Sequence, residues 1–152
     1  MISYSTMTRA EILRTVLIEG AIGGVVLSLV AFLLSRFVSD VAGRTVLATA
    51  LFAAAGAYFG FAYTPGTPSI WILIELIQVV AFGTLGLYGW RGSPYWLVLG
   101  YALHPLWDFG LHYLGPGRSF APLTYTVLCI SFDWVVAAYI LIAYRWLRLA
   151  TK

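Results

Sequence analysis

Apolar residues run along this chain in five long blocks, about 12–35, 45–63, 70–88, 95–114 and 123–144, parted by short polar breaks. About 20 consecutive apolar residues let an α-helix cross the hydrocarbon core of a bilayer. The pattern predicts an all-α membrane protein, a bundle of five transmembrane helices forming one integral-membrane domain over residues 1–152. The breaks carry turn residues: Ser39, Asp40 and Gly43; Thr64, Pro65, Gly66, Thr67 and Pro68; Gly89, Gly92, Ser93 and Pro94; Gly115, Pro116, Gly117 and Pro122. Connections that short set neighbouring helices antiparallel. The first block is longer than a signal-peptide core and ends in Ser35 and Arg36 without a small-residue cleavage site, so it reads as an uncleaved helix.

Within the second block Ala53, Ala54, Ala55, Gly56, Ala57 and Gly60 leave one side nearly smooth, which places that helix inside the bundle. Gly20 and Gly24 make a similar pair in the first block, read as ordinary helix packing. Composition agrees with the pattern: only 10% of residues are charged, far below the roughly 25% of a soluble domain. The net charge of +3 comes from nine Arg and Lys placed almost wholly at block ends, where such side chains snorkel and set orientation. No nucleic-acid partner is expected. Arg9, Arg14 and Arg118 fall on the side of the N-terminus; Arg36, Arg44, Arg91, Arg145, Arg148 and Lys152 fall on the other. That asymmetry predicts N-terminus out and C-terminus in. Trp71, Trp90, Tyr95, Trp96, Tyr113 and Trp146 lie near block ends, where amphipathic rings anchor at the interface. Cys129, the only cysteine, excludes an intrachain disulfide and reads as packing.

The acids are where they are least expected. Of six, only Glu11 and Asp40 lie outside the blocks; Glu19, Glu75, Asp108 and Asp133 lie within, with both histidines, His104 and His112. A charge at the centre of a membrane helix costs about 2.5–3.5 kcal/mol on insertion scales, so such groups face a bundle interior and mark function. At about 1.5 Å per residue, all six sit in the half of the membrane nearer the N-terminus or reach its midplane. One shared polar pocket built by helices one, three, four and five accounts for the coincidence. His104, Asp108 and His112 follow at four-residue steps, each turning the side chain by about 40°, a gently drifting stripe on one face. Pro105 lacks a backbone donor and frees the carbonyl of Tyr101 beside that stripe. Trp107 points elsewhere and reads as packing.

Imidazole and carboxylates suit zinc, iron or manganese, so a divalent transition metal is a candidate cofactor. His104, Asp108 and Glu19 are the expected metal ligands; Glu75, His112 and Asp133 are the expected catalytic groups, proton-transfer residues serving a metal-activated water. The spacing is no known short metal signature, and about 12 Å along the axis separates His104 from His112. The substrate class this suggests is a lipid or other apolar small molecule. Three alternatives use the same residues: a metal-free acid and base pair acting on a lipid or isoprenoid, a proton- or cation-conducting homo-oligomer, and a non-catalytic accessory subunit of a membrane complex offering a histidine to a pigment or haem.

The stretch from Trp71 to Asp133, with Glu75, then His104, Trp107, Asp108 and His112, Gly115 with Pro116, and Cys129 with Asp133, resembles a family of small polytopic bacterial membrane proteins known only as a domain of unknown function. The family pattern runs Glu, His-x-x-Trp-Asp-x-x-His-His, a Gly-Pro loop and Cys-x-x-x-Asp, and Leu111 stands where the first of the paired histidines falls. The resemblance implies a bacterial inner-membrane protein in which Glu75, His104, Asp108, His112 and Asp133 work as one unit. It implies no activity.

Overall fold

The computed structural model describes residues 8–150, and side chains for residues 8–145. Trp146, Arg148 and Lys152, counted above as anchor and charges, lie outside those described side chains. Five helices follow in order: α1 (Arg9–Phe37), α2 (Asp40–Phe61), α3 (Ile70–Arg91), α4 (Tyr95–Asp108) and α5 (Leu123–Ala150). A π-helical segment, Phe109–Leu114, continues α4, and a 3-10 turn, Pro116–Ser119, leads towards α5.

Local chemistry explains the boundaries. Thr8 caps α1 reciprocally with Glu11: the Glu11 carboxylate accepts from the Thr8 backbone N–H (2.7 Å), and the Thr8 hydroxyl accepts from the Glu11 N–H (3.3 Å). Ser39 accepts from the Ala42 N–H (3.1 Å) and starts α2 two residues after α1 ends. Between α2 and α3, Gly66 adopts φ +90°, which glycine reaches without a side-chain clash. At the far end Arg44 ties the start of α2 to the α3–α4 connection, donating to the Gly92 carbonyl (2.6 Å) while pairing with Asp40 (2.5 Å).

The helices close into a ring in chain order: α1 packs on α2, α2 on α3, α3 on α4, α4 on α5, and α5 back on α1, with a lesser α2–α4 contact across the middle. Each turns one stripe of three- and four-residue spacing inward, such as Leu47, Leu51, Ala55 and Tyr58 on α2. Outward stand Ile22, Val25, Leu29, Ile77, Val80 and Ile142, each more than half exposed, as a lipid-facing surface requires.

Four helices, α1, α2, α3 and α5, are long and apolar enough to cross a membrane. The fourth block differs from expectation. Its α-helical part has 14 residues, short of the roughly 20 needed, and reaches the full block only through the π segment. Pro105 explains the change: it has no N–H to donate, and the helix rewinds to wider turns just beyond it. The smooth side of α2 is a correction as well. Ala53 is exposed, and a Cβ added at Gly56 or Gly60 would meet nothing within 4 Å, so α2 is one member of the ring rather than its centre. Close approach falls to α1 instead, where Val16, Gly20, Gly24, Ser28 and Ala31 face inward. A Cβ on Gly24 would stand 2.7 Å from the Phe132 carbonyl oxygen of α5, and one on Gly20 would strike the Leu128 carbonyl.

The enclosed space divides into two halves. Towards the end holding Arg44, side chains of Ala31, Leu47, Leu51, Leu97, Val136 and Ile140 form an apolar core. Towards the end where α1, α3 and α5 begin, the interior turns polar.

Candidate functional site

In that polar half Glu75, Gln78, His104, Asp108, His112, Thr126 and Asp133 are all at most 1% exposed. Each arrives from an inward stripe: Glu75 and Gln78 are one turn apart on α3, His104 and Asp108 one turn apart on α4, and Asp133 follows Cys129 by one turn on α5. The π segment brings in His112. Because a π turn winds more residues than the 3.6 of an α-helix, four residues past Asp108 no longer overshoot a full turn, and the expected drift of the stripe is taken up.

Two groups of contacts result. His104 Nδ1 lies 2.7 Å from Asp133 Oδ2 and 3.6 Å from Asp108 Oδ2. These three residues each offer a ligand atom, all within 4.8 Å of one another, and are the group among the described residues with the geometry to hold a metal ion. Beside them His112 Nε2 stands 3.5 Å from Glu75 Oε1, an ion-pair distance without a hydrogen bond. Aromatic rings wall the site. Tyr58 stacks on His112 (centroids 4.1 Å, planes 12° apart) and reaches towards His104 (6.1 Å), while Phe82 meets His104 edge-on at 4.9 Å. The Tyr58 hydroxyl donates to Thr126 Oγ1 (3.3 Å).

The polar atoms are far from satisfied. Both oxygens of Glu75 and Asp108, Asp133 Oδ1, His104 Nε2, both ring nitrogens of His112 and the whole Gln78 amide are buried without a hydrogen-bond partner. A buried unpaired polar group costs about 1–3 kcal/mol and more when charged, so ten such atoms in one chamber mark a place built for something other than packing. Charge says the same. If both were ionised, two carboxylates whose oxygens lie within 4.8 Å would repel by about 3.5 kcal/mol at an effective dielectric near 20, so the pair calls for a proton or a cation.

Five of the six expected residues thus come together. Glu19 does not join the three-residue group; it is half-buried on α1. Its neighbour Gly20 belongs to the stripe that meets α5, and one residue along a helix rotates the side chain by about 100°, off that stripe. Asp133, expected among the proton-transfer groups, stands with His104 and Asp108 in the three-residue group. Cys129 is buried among Tyr58, Tyr125, Asp108 and Asp133 but outside the three-residue group. Trp107 packs against the apolar core. Sequence reasoning missed Tyr58, Gln78 and Thr126. Gln78 was findable, one turn past Glu75 on the same face, and Tyr58 was the one tyrosine of α2.

The loop after the π segment is fitted to the site. A Cβ on Gly117 would run into His112 Nδ1 and stand 2.8 Å from the Leu111 carbonyl. Gly117→Ala is expected to displace the His112 ring and destabilise the fold by roughly 1–3 kcal/mol. With two histidines in the chain, NMR of ring-labelled histidine reads this directly: the His112 resonances should move while those of His104 hold, and an unchanged spectrum would contradict the packing.

The chain matches a family of unknown function, DUF6010, over residues 19–145, and it belongs to that family. The match takes in every residue of the site and Glu19. Neither the comparison with curated proteins nor that with solved structures gives a match.

Proposed function

We propose that this chain is a metal-dependent enzyme of the bacterial inner membrane that acts on a lipid or other apolar small molecule. In this reading all five helices span, with α4 and the π segment together as one crossing, the N-terminus outside and the C-terminus inside. His104, Asp108 and Asp133 hold a divalent transition ion, zinc, iron or manganese. Glu75 and His112 form the neighbouring acid and base pair. The observation that carries the reading is the three-residue group: one imidazole and two carboxylates, fully buried, ligand atoms within 4.8 Å, with lone pairs left unpaired. A divalent ion would supply the countercharge that lets the buried carboxyl groups of Asp108 and Asp133 ionise side by side. An ion held by His104, Asp108 and Asp133 would supply Lewis acidity towards a water or a substrate oxygen, and Glu75 with His112 beside it is the pair that would move the proton. Glu19, outside the group, takes no ligand role. The test is elemental analysis of wild-type protein expressed in metal-replete medium. About one ion per chain is expected, and none would reject the metal.

Proton conduction is the second reading, favoured by the run of titratable groups from His112 to Asp133. Its continuation to the other face is weakened by Leu51, Leu97 and Val136, all fully buried, and by Tyr101 among them, whose hydroxyl already donates to the Leu47 carbonyl (2.7 Å), which leaves that stretch without the Asp, Glu or His chain of a proton relay. Liposomes containing the protein are expected to show no proton flux above protein-free controls. A flux abolished by Asp108→Asn would replace the enzyme with a channel.

A further inference from the structure

Above the site, where α1, α3 and α5 begin, a groove of about 900 Å³ is lined by Arg9, Trp71, Tyr113, Leu114 and Arg118 among others. We infer that this groove holds the anionic phosphate head of a membrane lipid, presenting that lipid to the buried site. The inference rests on the enzyme reading and names its substrate class. Four observations support it. Arg9 and Arg118 are exposed and have no ion pair among the described residues, so two guanidiniums share one concavity with no ion-pair partner among those residues; the nearby Glu11 carboxylate is taken up by capping Thr8, and the planar donor forks match phosphate oxygens bidentately. Trp71 and Tyr113 bring amphipathic rings to the level at which headgroups lie. Leu114 and Ile70 beside them are 62% and 54% exposed, an apolar flank suited to acyl chains and of no use to free phosphate. Finally, the groove's floor is the roof of the site: Trp71 packs on Phe120 (5.2 Å), and Phe120 meets His112 edge-on (5.8 Å). Two aromatic rings, Trp71 and then Phe120, separate a bound headgroup from His112.

A zwitterionic headgroup carries its own cation and competes poorly for two arginines, so net anionic lipids are preferred. The experiment titrates the purified full-length protein in dodecyl maltoside with dioleoyl phosphatidic acid and with dioleoyl phosphatidylcholine. Phosphatidic acid should bind at least about tenfold tighter. Arg9→Gln/Arg118→Gln should abolish that preference, and Arg14→Gln, exposed at the same end but off the groove, should keep it. No preference in wild type, its survival in the double variant, or its equal loss in Arg14→Gln would overturn the inference. So would displacement of the lipid by inorganic phosphate at equal concentration, which would assign the groove to a soluble anion. Metal content of the same preparations separates the two claims. Metal retained with the lipid preference missing sinks this inference alone; lipid preference present with metal missing in wild type sinks the metal enzyme and leaves the groove standing.

Discussion

Protein loaded with a divalent transition metal is expected to unfold about 5–10 °C above the same protein after chelation. Binding to the folded state alone at 100 times Kd adds about 2.7 kcal/mol, and a chain of this length gains roughly 2–4 °C per kcal/mol. The physical source is the repulsion between Asp108 and Asp133, whose oxygens lie within 4.8 Å in a chamber closed to water. Asp108→Asn and Asp133→Asn should each weaken metal binding by about 100-fold or more and remove the dependence of Tm on chelator. They should not unfold the chain, because each exchanges one of two repelling charges for a neutral group of the same shape. Thermal scans with and without chelator, alongside elemental analysis, read both effects. An unchanged Tm on chelation, with Asn variants indistinguishable from wild type, would mean that these carboxylates are relieved by protons, and the metal-free acid and base reading would replace the metal.

The second large effect lies away from the chemistry. Gly24→Val puts a side chain where a Cβ alone would stand 2.7 Å from the Phe132 carbonyl and 3.0 Å from Val135 Cβ. Backbone cannot give as a flexible side chain does, so α1 and α5 must part, at a cost of roughly 1–3 kcal/mol. Gly20→Val meets the Leu128 carbonyl one turn earlier and should cost a similar amount. Because Asp133 follows Phe132 directly on α5, parting the helices also moves the carboxylate that holds His104 at 2.7 Å, and metal affinity should fall with stability. Gly56→Ala is the control. Its Cβ meets nothing within 4 Å, and removing a helical glycine should be neutral or stabilise by up to about 1 kcal/mol. If Gly24→Val and Gly56→Ala behaved alike in thermal denaturation, the α1–α5 contact would not be a close seam.

The sequence by itself settled the helical class, since long apolar blocks with short turn-rich breaks permit little else. It also placed all but one break within a few residues, because Pro, Gly, Ser39 and Asp40 act locally. It picked out Glu75, His104, Asp108, His112 and Asp133, since ionisable groups in an apolar block stand out whatever the fold. Three things needed the tertiary structure. Which carboxylate belongs beside His104 depends on which face of each helix turns inward: Glu19 and Asp133 are both carboxyl groups within apolar blocks and in the same half of the membrane by sequence, and the packing of Gly20 and Gly24 against α5 turns Glu19 off the inward stripe. The break of α4 into a π segment was invisible to hydropathy, which sees apolar residues and not the turns they wind. Gln78 left a trace in the sequence, one turn past Glu75, and so did Tyr58 as the one tyrosine of α2, but only the closed ring shows that these uncharged groups reach the site. Burial preferences are written residue by residue, whereas a site is a set of distances between helices, and those exist only once the helices have packed.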